Sequence, residues 1–156
     1  IAAAAKVKAG VVERDEFEMG ERRKLNLGHT FAHAIEWEAH NREQSMGEVN
    51  AGVHGISHGE AVAMGMIMAA EASEYYYADD KSQHVAVQGI AKKLTEDFRR
   101  CGLPVECPYP IITLAEAMKK DKKSENGIVH FILIRAIGDV RIEDLPVDDV
   151  VSWISK

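Results

Sequence analysis

Cysteine is scarce here: Cys101 and Cys107 are the only two in 156 residues, and neither belongs to a CxxC pair. A disulfide framework and a thiolate metal site both lack support, and a reducing compartment such as the cytoplasm fits best. No apolar run nears the roughly 18 residues needed to cross a bilayer, since the Ala/Met-rich stretch is closed off by Glu60 and Glu71. No GxGxxG or glycine-triple turn occurs, so nothing in the sequence is built to cradle the pyrophosphate of a dinucleotide. Repeats and low-complexity tracts are absent as well. Positive charge is thin. The net charge is −6, and apart from Arg22-Arg23-Lys24 and Lys119-Lys120-Asp121-Lys122-Lys123 the basic residues are scattered. Neither nucleic acid nor an anionic membrane surface is therefore expected as a partner. The opening Ile1-Ala2-Ala3-Ala4-Ala5-Lys6 has no methionine, leader or helix cap, and reads as a helix entered part-way, in a piece of a longer chain.

What is present suffices for one core: a hydrophobic content of 46% over this length fits a single domain spanning residues 1–156. Residues 1–13 read as the end of a helix and Arg14 to Arg22 as a charged connection, with helix resuming near Leu25. Leu27, Phe31, Ala34 and Ile35 recur at helical spacing, while Gly28 and Ala32, four apart, permit another backbone to come close. Asn41 to Ser57, with three glycines and few large apolar residues, is expected to be a surface loop and an insertion.

Glu60 to Tyr77 is apolar on nearly every side, as in a helix buried within a bundle. Val87, Ile90, Ala91, Leu94, Phe98 and Cys101 follow one amphipathic period stopped by Gly102 and Pro104. Thr113-Leu114-Ala115-Glu116 has capping-box spacing for a short helix to about Lys120. Val129 to Ile134 is β-rich, Gly138-Asp139 can turn, and Val140 to Ile142 can pair back. Asp148 to Ile154 closes the chain as a helix. The expected fold is mainly α, a helical bundle with one short β-hairpin near the C-terminus.

Histidines carry the candidate chemistry. His29 and His33 are four apart on one helix, with Cβ atoms about 6 Å apart, close enough to share a zinc ion or to divide metal binding from proton transfer. Spacing alone does not choose between these and an ordinary pair in which one ring bonds a carbonyl and the other meets water. His58 opens the buried helix, and metal sites commonly draw ligands from two packed helices. Lys8, Arg22, Lys122 and Lys123 have the charge to surround an anionic substrate, although a solvated surface accounts for them equally well. Asn26 stands where a helix-capping asparagine commonly does.

The strings LNLGHTFAHAIE (25–36) and HGEAVAMGM (58–66), with KAGVVERDEFEMGERR upstream and DKK with IRAIG downstream, resemble the 3-dehydroquinate synthase family. The likeness runs in order along nearly the whole chain outside the loop between Glu36 and His58. It implies an NAD- and zinc-dependent carbon–oxygen lyase of the shikimate pathway, which leads to chorismate and the aromatic amino acids. Such an enzyme cyclises 3-deoxy-D-arabino-heptulosonate 7-phosphate to 3-dehydroquinate with loss of phosphate, and works as a cytoplasmic homodimer.

By the same resemblance His29 and His58 correspond to zinc ligands, and His33 to a substrate-site histidine that does not bind metal. Lys8, Arg22 and Asn26 correspond to substrate contacts, and Lys122 to the lysine that neutralises phosphate. The family's third zinc ligand, a glutamate, and its glycine-rich NAD domain fall outside this sequence. The chain by itself is thus expected to be inactive and to hold zinc weakly.

Two departures accompany the likeness. The insertion brings His54 into HxxxH relation with His58, where surface exposure is expected rather than ligation. Ala32 stands where the family usually has glycine, so one methyl group is expected to alter helix packing or crowd the substrate side. Two other readings predict different behaviour: a sister sugar-phosphate cyclase would prefer another heptulose or hexose phosphate, and a non-catalytic helical interaction module would be indifferent to loss of the histidines.

Overall fold

The computed structural model describes residues 1–17, 20–46, 55–120 and 127–154. The elements run α1 (Ala2–Arg14), a 3-10 helix (Glu21–Asn26), α2 (His29–Met46), α3 (His58–Tyr76), α4 (Lys81–Val87), α5 (Ile90–Arg100), α6 (Ile111–Lys120), β1 (Ile128–Ala136), β2 (Asp139–Pro146) and α7 (Val147–Ile154). A mainly α bundle with one hairpin near the C-terminus is thus what forms.

Helix α3 is its axis. Ala61, Ala63, Met64, Gly65, Ile67, Met68, Ala69, Ala70, Ala72 and Ser73 are all buried, as expected of a helix apolar on nearly every side. It packs on α2, α5, α7 and β1, while α6 bridges α2 and α7. Phe31, Ile35, Met64, Leu114, Leu133, Val147 and Val150 form the centre of one continuous core. Phe31 and Phe131 meet edge to face with ring centroids 5.6 Å apart, the arrangement the ring quadrupoles favour. Helix α1 buries none of its residues; the Arg14 guanidinium bonds both Glu21 carboxylate oxygens at 2.8 and 2.9 Å and ties it to the 3-10 helix.

The contact between α2 and α3 is set by small residues. A Cβ added at Gly65 would stand 2.3 Å from the Gly28 carbonyl oxygen and 3.1 Å from the Ala32 nitrogen. Gly28 adopts φ +81°, and a Cβ there would meet the Met66 nitrogen at 2.6 Å. The close approach expected at Gly28 and Ala32 is therefore real, with Gly65 completing it. Ala32 is fully buried, so its methyl belongs to the core.

The hairpin pairs β1 with β2 antiparallel in the register Ile132↔Ile142, with an irregularity between Ile134 and Ala136. It turns at Ile137-Gly138, with φ +87° at Gly138, and Asp139 already belongs to β2. Ser73 fastens the hairpin to α3: its hydroxyl donates to the Ala69 carbonyl at 2.6 Å and accepts the Ile134 N–H at 2.9 Å. A buried strand-edge donor is satisfied in this way without a further strand.

Several expected boundaries move. Helix α2 continues to Met46, so Asn41 to Met46 is helical rather than loop; residues 47–54, including His54, lie outside the described residues. The amphipathic segment from Val87 to Cys101 is two helices, because Gly89 takes φ +82° and interrupts it. The start of α5, where Ile90 and Ala91 are buried, is closed by Glu74, whose carboxylate accepts the Ala91 N–H at 2.9 Å. The stop at Gly102 is as expected: the Gly102 N–H reaches the Arg99 carbonyl and Leu103 that of Phe98, a Schellman ending. Helix α6 starts at Ile111, directly after Pro110 and two residues before Thr113, so Thr113 sits in the first turn and is not its cap. Asn26 ends the 3-10 helix, and α2 starts only at His29; it is not the cap of α2.

Gly65→Ala is expected to cost at least about 1–3 kcal/mol, the usual range for overpacking, because the obstructing atoms are backbone. A fall in the denaturant midpoint at unchanged m-value checks this.

Candidate metal and substrate site

Helices α2 and α3 run in opposite directions: Gly28 touches Gly65, while Glu36, two turns along α2, touches His58, two turns back along α3. On α2, His29, His33 and Glu36 follow the i, i+4, i+7 rule and share one stripe. On α3, His58 is the first helical residue. Local chemistry holds it there. Ser57 caps α3, its hydroxyl accepting the Glu60 N–H at 3.4 Å, while the Glu60 carboxylate accepts the Ser57 N–H at 2.8 Å. This is a capping box.

The three rings converge. The His29 and His58 centroids are 5.4 Å apart with planes at 64°, and those of His29 and His33 are 5.7 Å apart at 89°. His58 Nδ1–H donates to Glu36 Oε1 at 2.9 Å, which fixes Nε2 as the nitrogen bearing the lone pair. His29 turns Nδ1 toward the Leu27 carbonyl in a long contact of 3.5 Å. Burial pushes the His29 imidazole below its ordinary range; the Leu27 carbonyl opposes this, and His33 and His58 add to it. A half-buried ring kept neutral is the form that ligates a metal.

Among the described residues no group of three or more His, Cys, Asp or Glu side chains is arranged to hold a metal ion. His29 and His58 make a two-nitrogen donor set. The donors fit zinc chemically, being imidazole nitrogens on rigid helices, with a carboxylate behind one of them.

Of the remaining candidates, Arg22 lies half-buried in the 3-10 helix and its guanidinium donates to the Glu16 carbonyl at 2.6 Å. Asn26 closes the same helix. The Asp15 carboxylate accepts from the Gly20 and Arg22 backbones at 2.8 and 2.9 Å and orders this segment. Lys8 is exposed on α1. Lys122 lies outside the described residues. Three further residues contribute: Ser57 and Glu60, whose S-x-x-E spacing is legible in the sequence, and Glu36, whose partner 22 residues away only the fold reveals.

Ser57→Ala should destabilise the chain by roughly 0.5–2 kcal/mol, the usual cost of a lost N-cap. Thermal or urea unfolding measures it, and retained stability would mean that the capping box does not hold the start of α3.

Residues 1–124 match the family described as 3-dehydroquinate synthase C-terminal. Relatives named 3-dehydroquinate synthase include one from Geobacillus kaustophilus, 37% identical over 96% of this chain and 36% of its own length. Another, from Pyrococcus abyssi, is 39% identical over 90% of this chain and 35% of its own. One from Pelobacter propionicus is 40% identical over 94% of this chain and 36% of its own. The chain thus spans little more than a third of the length of the curated relatives it matches. With its histidines brought together from the starts of two packed helices, this chain belongs to the 3-dehydroquinate synthase C-terminal family.

Proposed function

We propose that the chain is the metal- and substrate-binding portion of a 3-dehydroquinate synthase. The complete protein would convert 3-deoxy-D-arabino-heptulosonate 7-phosphate to 3-dehydroquinate with elimination of phosphate, in the shikimate pathway. The observation that carries this reading is the meeting of His29 and His58 across α2 and α3, 5.4 Å between ring centroids, in a chain whose relatives bear that enzyme's name.

His29 and His58 hold zinc, or another divalent metal, through imidazole nitrogens, and a carboxylate from outside this chain completes the set. Zinc supplies Lewis-acid stabilisation of negative charge developing on a substrate oxygen. NAD would be held chiefly by the part of the protein outside this chain and would supply hydride-transfer chemistry. His33 lies beside the pair, exposed on the same stripe of α2, and carries proton transfer at a substrate oxygen. Lys122 neutralises the phosphate, and Lys8, Arg22 and Asn26 bind the substrate's carboxylate and hydroxyls; cations suit so anionic a molecule. No helix of the described residues is long and apolar enough to cross a membrane. Our reading has the complete enzyme work in the cytoplasm as a homodimer, without nucleic-acid partners. The chain alone, without the nucleotide site and the third ligand, is inactive.

Two separable outcomes are expected in the complete protein. His29→Ala and His58→Ala should each lower bound zinc, measured by metal analysis after dialysis, together with turnover. His33→Ala should keep the zinc and slow turnover by roughly 10²–10⁴-fold, the usual range for an acid–base group. Full zinc occupancy after loss of both His29 and His58 would overturn the ligand assignment; turnover of a different sugar phosphate in preference would overturn the substrate.

A further inference from the structure

We infer that Glu36 is the positioning residue of the metal site, acting through His58. The inference rests on the metal-site reading above and adds a role that the histidine spacing does not contain.

An ionised carboxylate only accepts hydrogen bonds. The 2.9 Å contact between Glu36 Oε1 and His58 Nδ1 therefore requires the proton on Nδ1 and leaves Nε2 as the ligating nitrogen. In water a neutral imidazole exchanges between two tautomers and turns about its side-chain bonds. His58 is more than half exposed, at 58%, and stands in the first turn of its helix, where both freedoms would persist without a partner. Glu36 is less exposed, at 32%, and follows Ile35, which is fully buried in the core. The carboxylate is accordingly the better anchored of the two, and it imposes order on the ring. A carboxylate behind a ligating imidazole also raises the basicity of the ring, which strengthens its bond to a cation.

Glu36 is not itself arranged as a third ligand among the described residues, since it forms no metal-holding group with the histidines; its Oε1 is engaged with His58 Nδ1, which leaves Nε2 as the nitrogen that would bind a cation. Its place seven residues after His29 matters. One face of α2 supplies a ligand in its first turn and, two turns on, the group that orients the ligand of the neighbouring helix. Both depend on the same packing of α2 against α3.

The test uses the complete protein with Glu36→Gln and Glu36→Ala, and two measurements. Zinc affinity is read by competition with a chromophoric chelator, and the tautomer of His58 by imidazole nitrogen spectra of metal-free, histidine-labelled protein, with His58→Ala identifying the signal. Glu36→Ala should move His58 from the Nδ1–H toward the ordinary Nε2–H form and weaken zinc about 10–100-fold, as loss of an outer-shell partner does. Glu36→Gln keeps an acceptor oxygen without the charge, so it should preserve the tautomer and lose less affinity than the alanine variant. Unchanged tautomer and affinity in Glu36→Ala would reduce the contact to a surface ion pair and overturn the proposal. Equal losses in both variants with the tautomer unmoved would make Glu36 a direct ligand, which also overturns it. Failure of the unsubstituted protein to bind zinc through His58 would sink the metal-site reading separately, whatever the tautomer spectra show.

Discussion

Where α2 passes α3, the carbonyl of Gly28 lies so close to Gly65 that a methyl on the latter would come within 2.3 Å of the oxygen. Backbone rests on backbone there, and the rest of the site inherits its geometry from that contact. Two turns away in each helix, the same antiparallel alignment sets Glu36 against His58 and brings the His29 ring to it. A wider separation, filled by ordinary side chains at the 8–10 Å typical of helix pairs, would move the histidines of the two helices apart. Small residues at the contact are thus a requirement of the proposed site as well as of the packing.

Around this contact the molecule spends its buried polar groups sparingly. Ser73 serves two elements at once, closing the Ala69 carbonyl and the edge of β1. Glu74 caps the start of α5 from outside that helix. The Ile134 N–H would otherwise be stranded in an apolar interior, where leaving it unpaired costs about 1–3 kcal/mol. These ties hold α5 and the hairpin to the same central helix that presents His58.

The electrostatics follow from the same arrangement. His29 lies partly inside and beside two other imidazoles, so its protonated form is disfavoured first by burial and then by like charge. His58, nearer to water, has a carboxylate instead. The two proposed ligands are therefore held differently, His29 by partial burial and His58 by a directed hydrogen bond to Glu36.

Periodicity and local chemistry made most elements legible in the sequence: the all-round apolar character of residues 60–77, the β-rich run and turn residues of the hairpin, the Gly102 ending, and the histidine spacing with the strings around it. Those signals are local, since they depend on which residues share a face or a turn. Gly89 was less legible, because a positive φ at one residue splits an otherwise continuous amphipathic period, and so was the helical course of Asn41 to Met46, where polar composition masks a helix continued from a well-packed start. Glu36 could be recognised only in the fold. That His29, His33 and Glu36 share a stripe follows from 3.6 residues per turn, but that the stripe faces His58 depends on two glycines meeting across an interface 37 positions apart, a pairing of backbone surfaces that no local pattern encodes.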